Sequence, residues 1–263
     1  MQTSSRTGPA RPGARWPAAV ALAVFNLLLY APSLGNSFSL DDYNWLERAR
    51  FASSWGRFVL GVEPGEILNP LPRALFQLLG WLGGGAPVAF HLAALGLHIL
   101  TVSLLLVLVD RVTGDRSIAL LAAILFSLET SGHEAVFWIA ALSYPLSGAL
   151  GLCALIAAER YLGGGGKGPA LGAGLCSLAG LLTKASCAAM LPVMLLLPGP
   201  RRRRVALAVG LATLVVVVAA ANLAAGAGDS YLVSRGHYRA ATPHRGPELQ
   251  AAIAPPAVHQ GIL

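Results

Sequence analysis

The sequence predicts an all-α, polytopic membrane protein with about seven transmembrane helices and a first external loop of short interfacial helices. Three observations carry that prediction. Charged residues make up only 12% of the chain and the mean hydropathy is +0.64, whereas soluble domains carry roughly 25% charged residues. Apolar runs near 20 residues recur along the chain, the length a helix needs to cross a hydrocarbon core about 30 Å thick. The 19 Lys and Arg residues, against 12 Asp and Glu, cluster between those runs, as they do in cytoplasmic loops. That clustering argues against nucleic-acid binding, although the pI is near 9.8.

The first span is residues 16–34, "WPAAVALAVFNLLLYAPSL". Its apolar stretch is long for a cleaved leader, so it is expected to stay as an anchor. Arg6, Arg11 and Arg15 precede it and place residues 1–15 in the cytoplasm, so the loop at 35–85 lies outside. Residues 86–109 return inward to Arg111 and Arg116. Residues 117–133 go out, and 138–158 come back to Arg160 and the "GGGGKG" loop with Lys167. Residues 169–199 carry Lys184 at their middle. As one span they would put "RRRR" (201–204) outside, so they are expected to form two short helices meeting at Lys184. Residues 205–226 then cross outward. Cys153, Cys176 and Cys187 fall inside apolar runs with no paired spacing, the pattern of small core residues rather than of a disulfide or thiolate metal site.

The external loop is too long for a turn. Tyr43, Trp45, Phe51, Trp55 and Phe58 give it the content of helices lying in the interface. "NPLPRALFQLLGWLGGG" (69–85) predicts a short amphipathic helix started by prolines and stopped by glycines. At the start of the loop stands "NSFSLDDYNWLERAR" (36–50), with the adjacent carboxylates Asp41 and Asp42. Ser39 can cap a helix there, with Asp42 at the third position reaching back to it. A capped helix start and a catalytic carboxylate are compatible roles.

Other polar groups stand between or within spans. "LETSGHEAVFW" brings Glu129, His133 and Glu134, but position 137 is Phe137, so the zinc-protease spacing is missing. His91 and His98 share a helix face and are expected to pack or hydrogen-bond between spans rather than hold metal. The glycine loop has no Walker spacing, and no serine-hydrolase motif occurs. A transporter reading finds no charge pair at the middle of a span.

Taken in order, these motifs resemble the multi-spanning GT-C glycosyltransferases, in particular the protein O-mannosyltransferase-like group that includes the transmembrane tetratricopeptide O-mannosyltransferases. The resemblance runs over residues 16–200. It rests on Phe38-Ser39-Leu40-Asp41-Asp42, Pro70-Leu71, Phe76, Gly84, Pro87, "FHLAALGLH" with His91 and His98, "LFSLETSGHEAVFWI" with Glu134 and Trp138, and "LLTKASCAAMLP" with Lys184 and Pro192. Asn69 stands where the family has Arg, Ala94 where it has Asn, Glu129-Thr130 where it has His-Pro, and Ala185 where it has Glu.

The resemblance implies a GT-C-like transmembrane domain over 16–226 in a bacterial inner membrane. Residues 227–263 would be an extracytoplasmic tail opening a C-terminal part beyond this chain. It implies an inverting transfer of a sugar from a polyprenyl-phosphate donor to a protein or glycan acceptor on the extracytoplasmic face. Asp41, with Asp42 beside it, would supply the general base, and Glu134 would orient a reactant. Lys184 or Arg73 would meet the lipid phosphate. His91, His98 and Trp138 would be structural parts of the motif. A divalent metal on Asp41 and Asp42 is left open. The alternative is a non-catalytic membrane protein, degenerate or accessory, that binds a lipid-linked sugar or a partner; the missing Arg, His and second Glu favour it.

Overall fold

The computed structural model describes residues 16–39, 41–51, 55–60 and 68–224, and all regular secondary structure among them is helical. The expected cytoplasmic N-terminus and C-terminal tail lie outside the described residues, as do residues 52–54 and 61–67 of the external loop.

The helices are α1 (Trp16–Tyr30), α2 (Asp41–Phe51), α3 (Trp55–Leu60), α4 (Pro70–Leu82), α5 (Pro87–Thr113), α6 (Arg116–Leu128), α7 (Thr130–Phe137), α8 (Ser143–Leu162), α9 (Lys167–Leu181), α10 (Met190–Leu196) and α11 (Arg201–Ala224). Short 3-10 turns cover Ala31–Gly35, Ile139–Leu142 and Ala185–Ala189.

Local sequence explains the boundaries. Pro87 opens α5 after an extended Ala86, and Gly114 ends it at φ 70°, a left-handed conformation that glycine adopts without steric cost. Asp115 caps α6 by accepting from the Ser117 and Ile118 amides, an arrangement that stabilises a helix start by about 1 kcal/mol. Prolines open α4, and Gly83 follows its last residue, as the sequence predicts.

Four segments are long and apolar enough to cross a membrane: Pro17–Gly35, Pro87–Thr113, Ile139–Leu162 and Arg201–Ala224. The other expected crossings are shorter. α6 has 13 residues, α9 has 15 and α10 has 7. At 1.5 Å per residue, 13 residues cover about 20 Å, short of a hydrocarbon core of about 30 Å. Apolar composition alone therefore overstates the helical length of these segments, because capping and turn residues cut them short.

α5 runs through the middle of the bundle, against α1, α4, α6, α7 and α8, and α8 packs most extensively on α9. α8 is the most enclosed of the four long segments, 67% buried, whereas the α1 segment is 22% and α11 17% buried. Those two apolar helices leave most of their surface unpacked by the rest of the described chain.

The bundle has two unlike ends. At one, Arg111 pairs with Glu159 at 2.6 Å, Arg116 lies 3.9 Å from Asp110, and Arg203 donates to the carbonyls of Tyr161 and Gly165. Basic residues of three loops thus gather at this end of the bundle. The Arg203 bonds also return the end of α10 to the end where α9 begins. At the other end, α2, α3 and α4 close over the bundle through Phe38, Leu46, Phe58, Phe76, Phe90 and Ile139.

Candidate functional site

The described start of α2 is Asp41, directly after "NSFSL". Ser39 donates its amide to Asp42 Oδ2 at 2.8 Å and also bonds that carboxyl through its hydroxyl, while the Asp42 amide donates to Ser39 O at 2.9 Å. This is the expected reach of the third helical position back to its cap. The other bond joins residues 98 apart, which local sequence does not mark. Ala140, in the turn before α8, donates its amide to Asp42 Oδ1 at 2.6 Å. Asp42 is 1% exposed, and both its oxygens are engaged by backbone. Burial pushes its carboxyl up to about 6, against the lowering effect of the two amides, because low dielectric disfavours the charged form.

Asp41 is half-buried, and its Oδ1 accepts from the Asn44 side chain at a long 3.3 Å. The two adjacent carboxylates thus differ sharply in setting: Asp42 is anchored, Asp41 is lightly held.

A cavity of about 330 Å³ lies between the helices, lined by His98, Thr101, Phe126, Glu134, Tyr144 and Pro145 among others, within the range of small-molecule sites. α5 supplies His98 and Thr101, α6 Phe126, α7 Glu134, and α8 Tyr144 and Pro145. Ala141 also lines it, one residue beyond the amide that holds Asp42. Lys184 stands between α9 and the following 3-10 turn in extended backbone, so the chain does break there as expected. Its Nζ lies 3.8 Å from the centre of the Tyr144 ring, a cation–π contact with a residue of the cavity wall.

Behind the cavity runs a buried polar chain. Asn26 donates to Leu22 O at 2.8 Å and to Ser127 Oγ at 3.0 Å, and Tyr30 donates its hydroxyl to Ser127 O at 2.7 Å. His98 Nε2 lies 3.1 Å from Asn26 Oδ1. An amide oxygen only accepts, so Nε2 carries the proton. His91 uses Nδ1–H on Val136 O at 3.2 Å. Both histidines thus tie helices together. Trp138 precedes the 3-10 turn, and its indole N–H is buried without a partner among the described residues.

Of the predicted residues, the structure brings Glu134 and His98 to one cavity; Lys184 touches its wall residue Tyr144, and Asp42 is bonded to Ala140, next to the wall residue Ala141. Arg73 is elsewhere. It is 4% exposed, donates to Asn69 Oδ1 at 2.7 Å and to Phe58 O at 3.1 Å, and holds α3 against α4. It is buried, not presented to a ligand at the surface. Among the described residues no three His, Cys, Asp or Glu side chains assemble as a metal site. Tyr144 and Asn26 escaped sequence reasoning; the signal for Asn26 was an amide inside an apolar span, which calls for a partner.

No protein-family model, curated protein or solved structure matches the chain.

Proposed function

We propose that the chain is a membrane glycosyltransferase of the GT-C type, moving a sugar from a polyprenyl-phosphate donor to a protein or glycan acceptor with Asp41 as general base. The observation that carries this reading is the contrast within the carboxylate pair. Asp42 is fixed by the Ser39 and Ala140 amides, which holds Asp41 at the first turn of α2, next to the segment that borders the cavity, with only a weak bond to Asn44.

In this reading the acceptor hydroxyl attacks the anomeric carbon and its proton passes to Asp41. The bond from that carbon to the phosphate oxygen breaks with inversion, and the polyprenyl phosphate leaves with the electron pair. Lys184, held on the Tyr144 ring, offsets the charge growing on the phosphate. Glu134 orients the acceptor from the cavity wall, and Asp42 is a positioning residue. The basic end of the bundle faces the cytoplasm of a bacterial inner membrane, with seven crossings when the shorter helices are included and the carboxylate pair outside.

The test is transfer from radiolabelled polyprenyl-phosphate sugars in membranes. Asp41→Asn lowers transfer at least 100-fold at equal expression, within the usual range for a general base, and Lys184→Ala lowers it as well. Undiminished transfer in both variants would sink the assignment. A second reading, a non-catalytic protein that binds a lipid-linked sugar or a partner, is favoured by the structural use of Asp42 and Arg73. It predicts that labelled donor is retained by the chain without transfer.

A further inference from the structure

Two helices at the basic end break a local electrostatic rule. A helix N-terminus is the positive end of the helix dipole and is stabilised by anions. α9 begins with Lys167 and α11 with Arg201–Arg204, and neither has an acidic residue in its first turn. The four arginines do not behave alike. Arg203 donates to Tyr161 O at 2.7 Å and to Gly165 O at 3.2 Å, with its guanidinium 5.3 Å from the centre of the Tyr161 ring, and Arg204 donates to Gly199 O at 3.0 Å. Arg203 thus fastens the start of α11 to the α8–α9 loop, and Arg204 folds back on the segment before α11. Arg201, Arg202, Arg160 and Lys167 are exposed, and none meets a carboxylate among the described residues. Glu159 is already taken by Arg111. Among the described residues, these four cations are thus left in excess of the carboxylates at this end, which pair with Arg111 and Arg116.

What lies beneath the cations identifies the missing anion. Residues four apart share a helix face. On α11, Arg201 heads a row formed by Val205, 52% exposed, and Val209, 61% exposed. On α9, Lys167 heads a row formed by Leu171, 63% exposed, and Leu175, 57% exposed. Each helix therefore sets a cation above an unpartnered aliphatic stripe. A free phosphate or a nucleic acid would use the cations and leave the stripes bare. A phospholipid with an acidic headgroup uses both, and the end of a membrane-crossing helix is the depth at which its phosphate lies.

We infer that Arg160, Lys167, Arg201 and Arg202 form a binding site for acidic phospholipid, with acyl chains lying along Val205–Val209 and Leu171–Leu175. The inference rests on the chain being a membrane protein and is independent of any transferase activity.

The test uses the full chain, affinity-purified in detergent micelles that contain equal amounts of labelled phosphatidylglycerol or of phosphatidylcholine with the same acyl chains. Wild type retains phosphatidylglycerol preferentially. Lys167→Gln combined with Arg201→Gln weakens that retention about thirty-fold, at about 1 kcal/mol per cation near a headgroup. Arg48→Gln, at the other end, leaves it unchanged. The preference of the unmodified chain falls as sodium chloride rises from low to high ionic strength, a readout that needs no variant to fold. Equal retention of the two lipids, an unaffected double variant or a salt-independent preference each overturns the site. Displacement of the lipid by an equal concentration of free glycerol 1-phosphate overturns the lipid assignment in favour of a simple anion site.

Discussion

The Ala140 amide donates to Asp42 Oδ1 at 2.6 Å, a bond between residues 98 apart in the chain. It ties the start of α2 to the turn that leads into α8, while Asp42 Oδ2 closes the cap on Ser39 at 2.8 Å. One carboxyl therefore fixes both the beginning of the external helix and its place on the bundle.

Removing that carboxyl should loosen both joints. Asp42→Ala leaves two amides without their acceptor, and a buried unsatisfied group costs about 1–3 kcal/mol. Asp42→Asn keeps one acceptor and should fall between the two. Thermal unfolding in detergent gives the order wild type, Asp42→Asn, Asp42→Ala. Amide hydrogen exchange at Ala140 and over residues 41–51 should quicken in the same order, and unchanged exchange at Ala140 would show that the bond does not hold α2 in place.

Asp42 should also make stability depend on pH. Its folded carboxyl keeps a proton to about 6, against 3.8 for an ordinary aspartate. Between those values the folded state binds more protons than the unfolded one, so the contribution of Asp42 is full below the lower value and is lost as pH rises through the upper one. The difference in melting midpoint between wild type and Asp42→Asn should therefore shrink as pH is raised from about 4 to about 7. A difference that stays level across this range contradicts the assignment.

The buried chain of Asn26, Ser127 and His98 makes a separate prediction. Asn26→Ala removes the acceptor of His98 Nε2–H and the donor to Ser127 Oγ together. Hydrogen bonds between membrane helices average about 0.6 kcal/mol and reach about 1.7, so a loss of roughly 1–2 kcal/mol is expected. His98→Ala should add little more once Asn26 is gone, which a double-mutant cycle on thermal stability measures.

α9 meets the 3-10 turn after Lys184 at Gly180, where an added methyl would collide with Cys187 Sγ. Gly180→Ala should destabilise by about 1–3 kcal/mol, the usual cost of overpacking. Cys187→Ala in the same chain should recover most of the loss. If the double variant is no better than Gly180→Ala, the collision is not the cause.

Arg73 is expected to matter for folding before it matters for any ligand. Arg73→Lys cannot reproduce the fork that reaches Asn69 and Phe58 together. It should lower the melting midpoint and increase proteolysis between α3 and α4, while lipid-linked donor retained per folded molecule stays constant. Weaker retention with unchanged stability would instead return Arg73 to the phosphate.

Much of this molecule is legible in its sequence. Apolar run length marks the four long crossing segments, prolines and glycines bound α4 and α5, the four arginines call for a chain reversal at Lys184, and Ser39 and Asp42 announce a helix start. These features are short-ranged: a helix cap, a turn or a hydrophobic run depends on residues within a few positions of one another. What the packing alone decided is where polar side chains find partners. Ala140 for Asp42, Phe58 for Arg73, Asn26 for His98 and Tyr144 for Lys184 are meetings of distant segments. A polar group inside a bundle takes whichever donor or acceptor the folded helices bring within about 3 Å. Nothing in the local sequence encodes that choice, so adjacent carboxylates that look equivalent as "DD" became one anchor and one lightly held group.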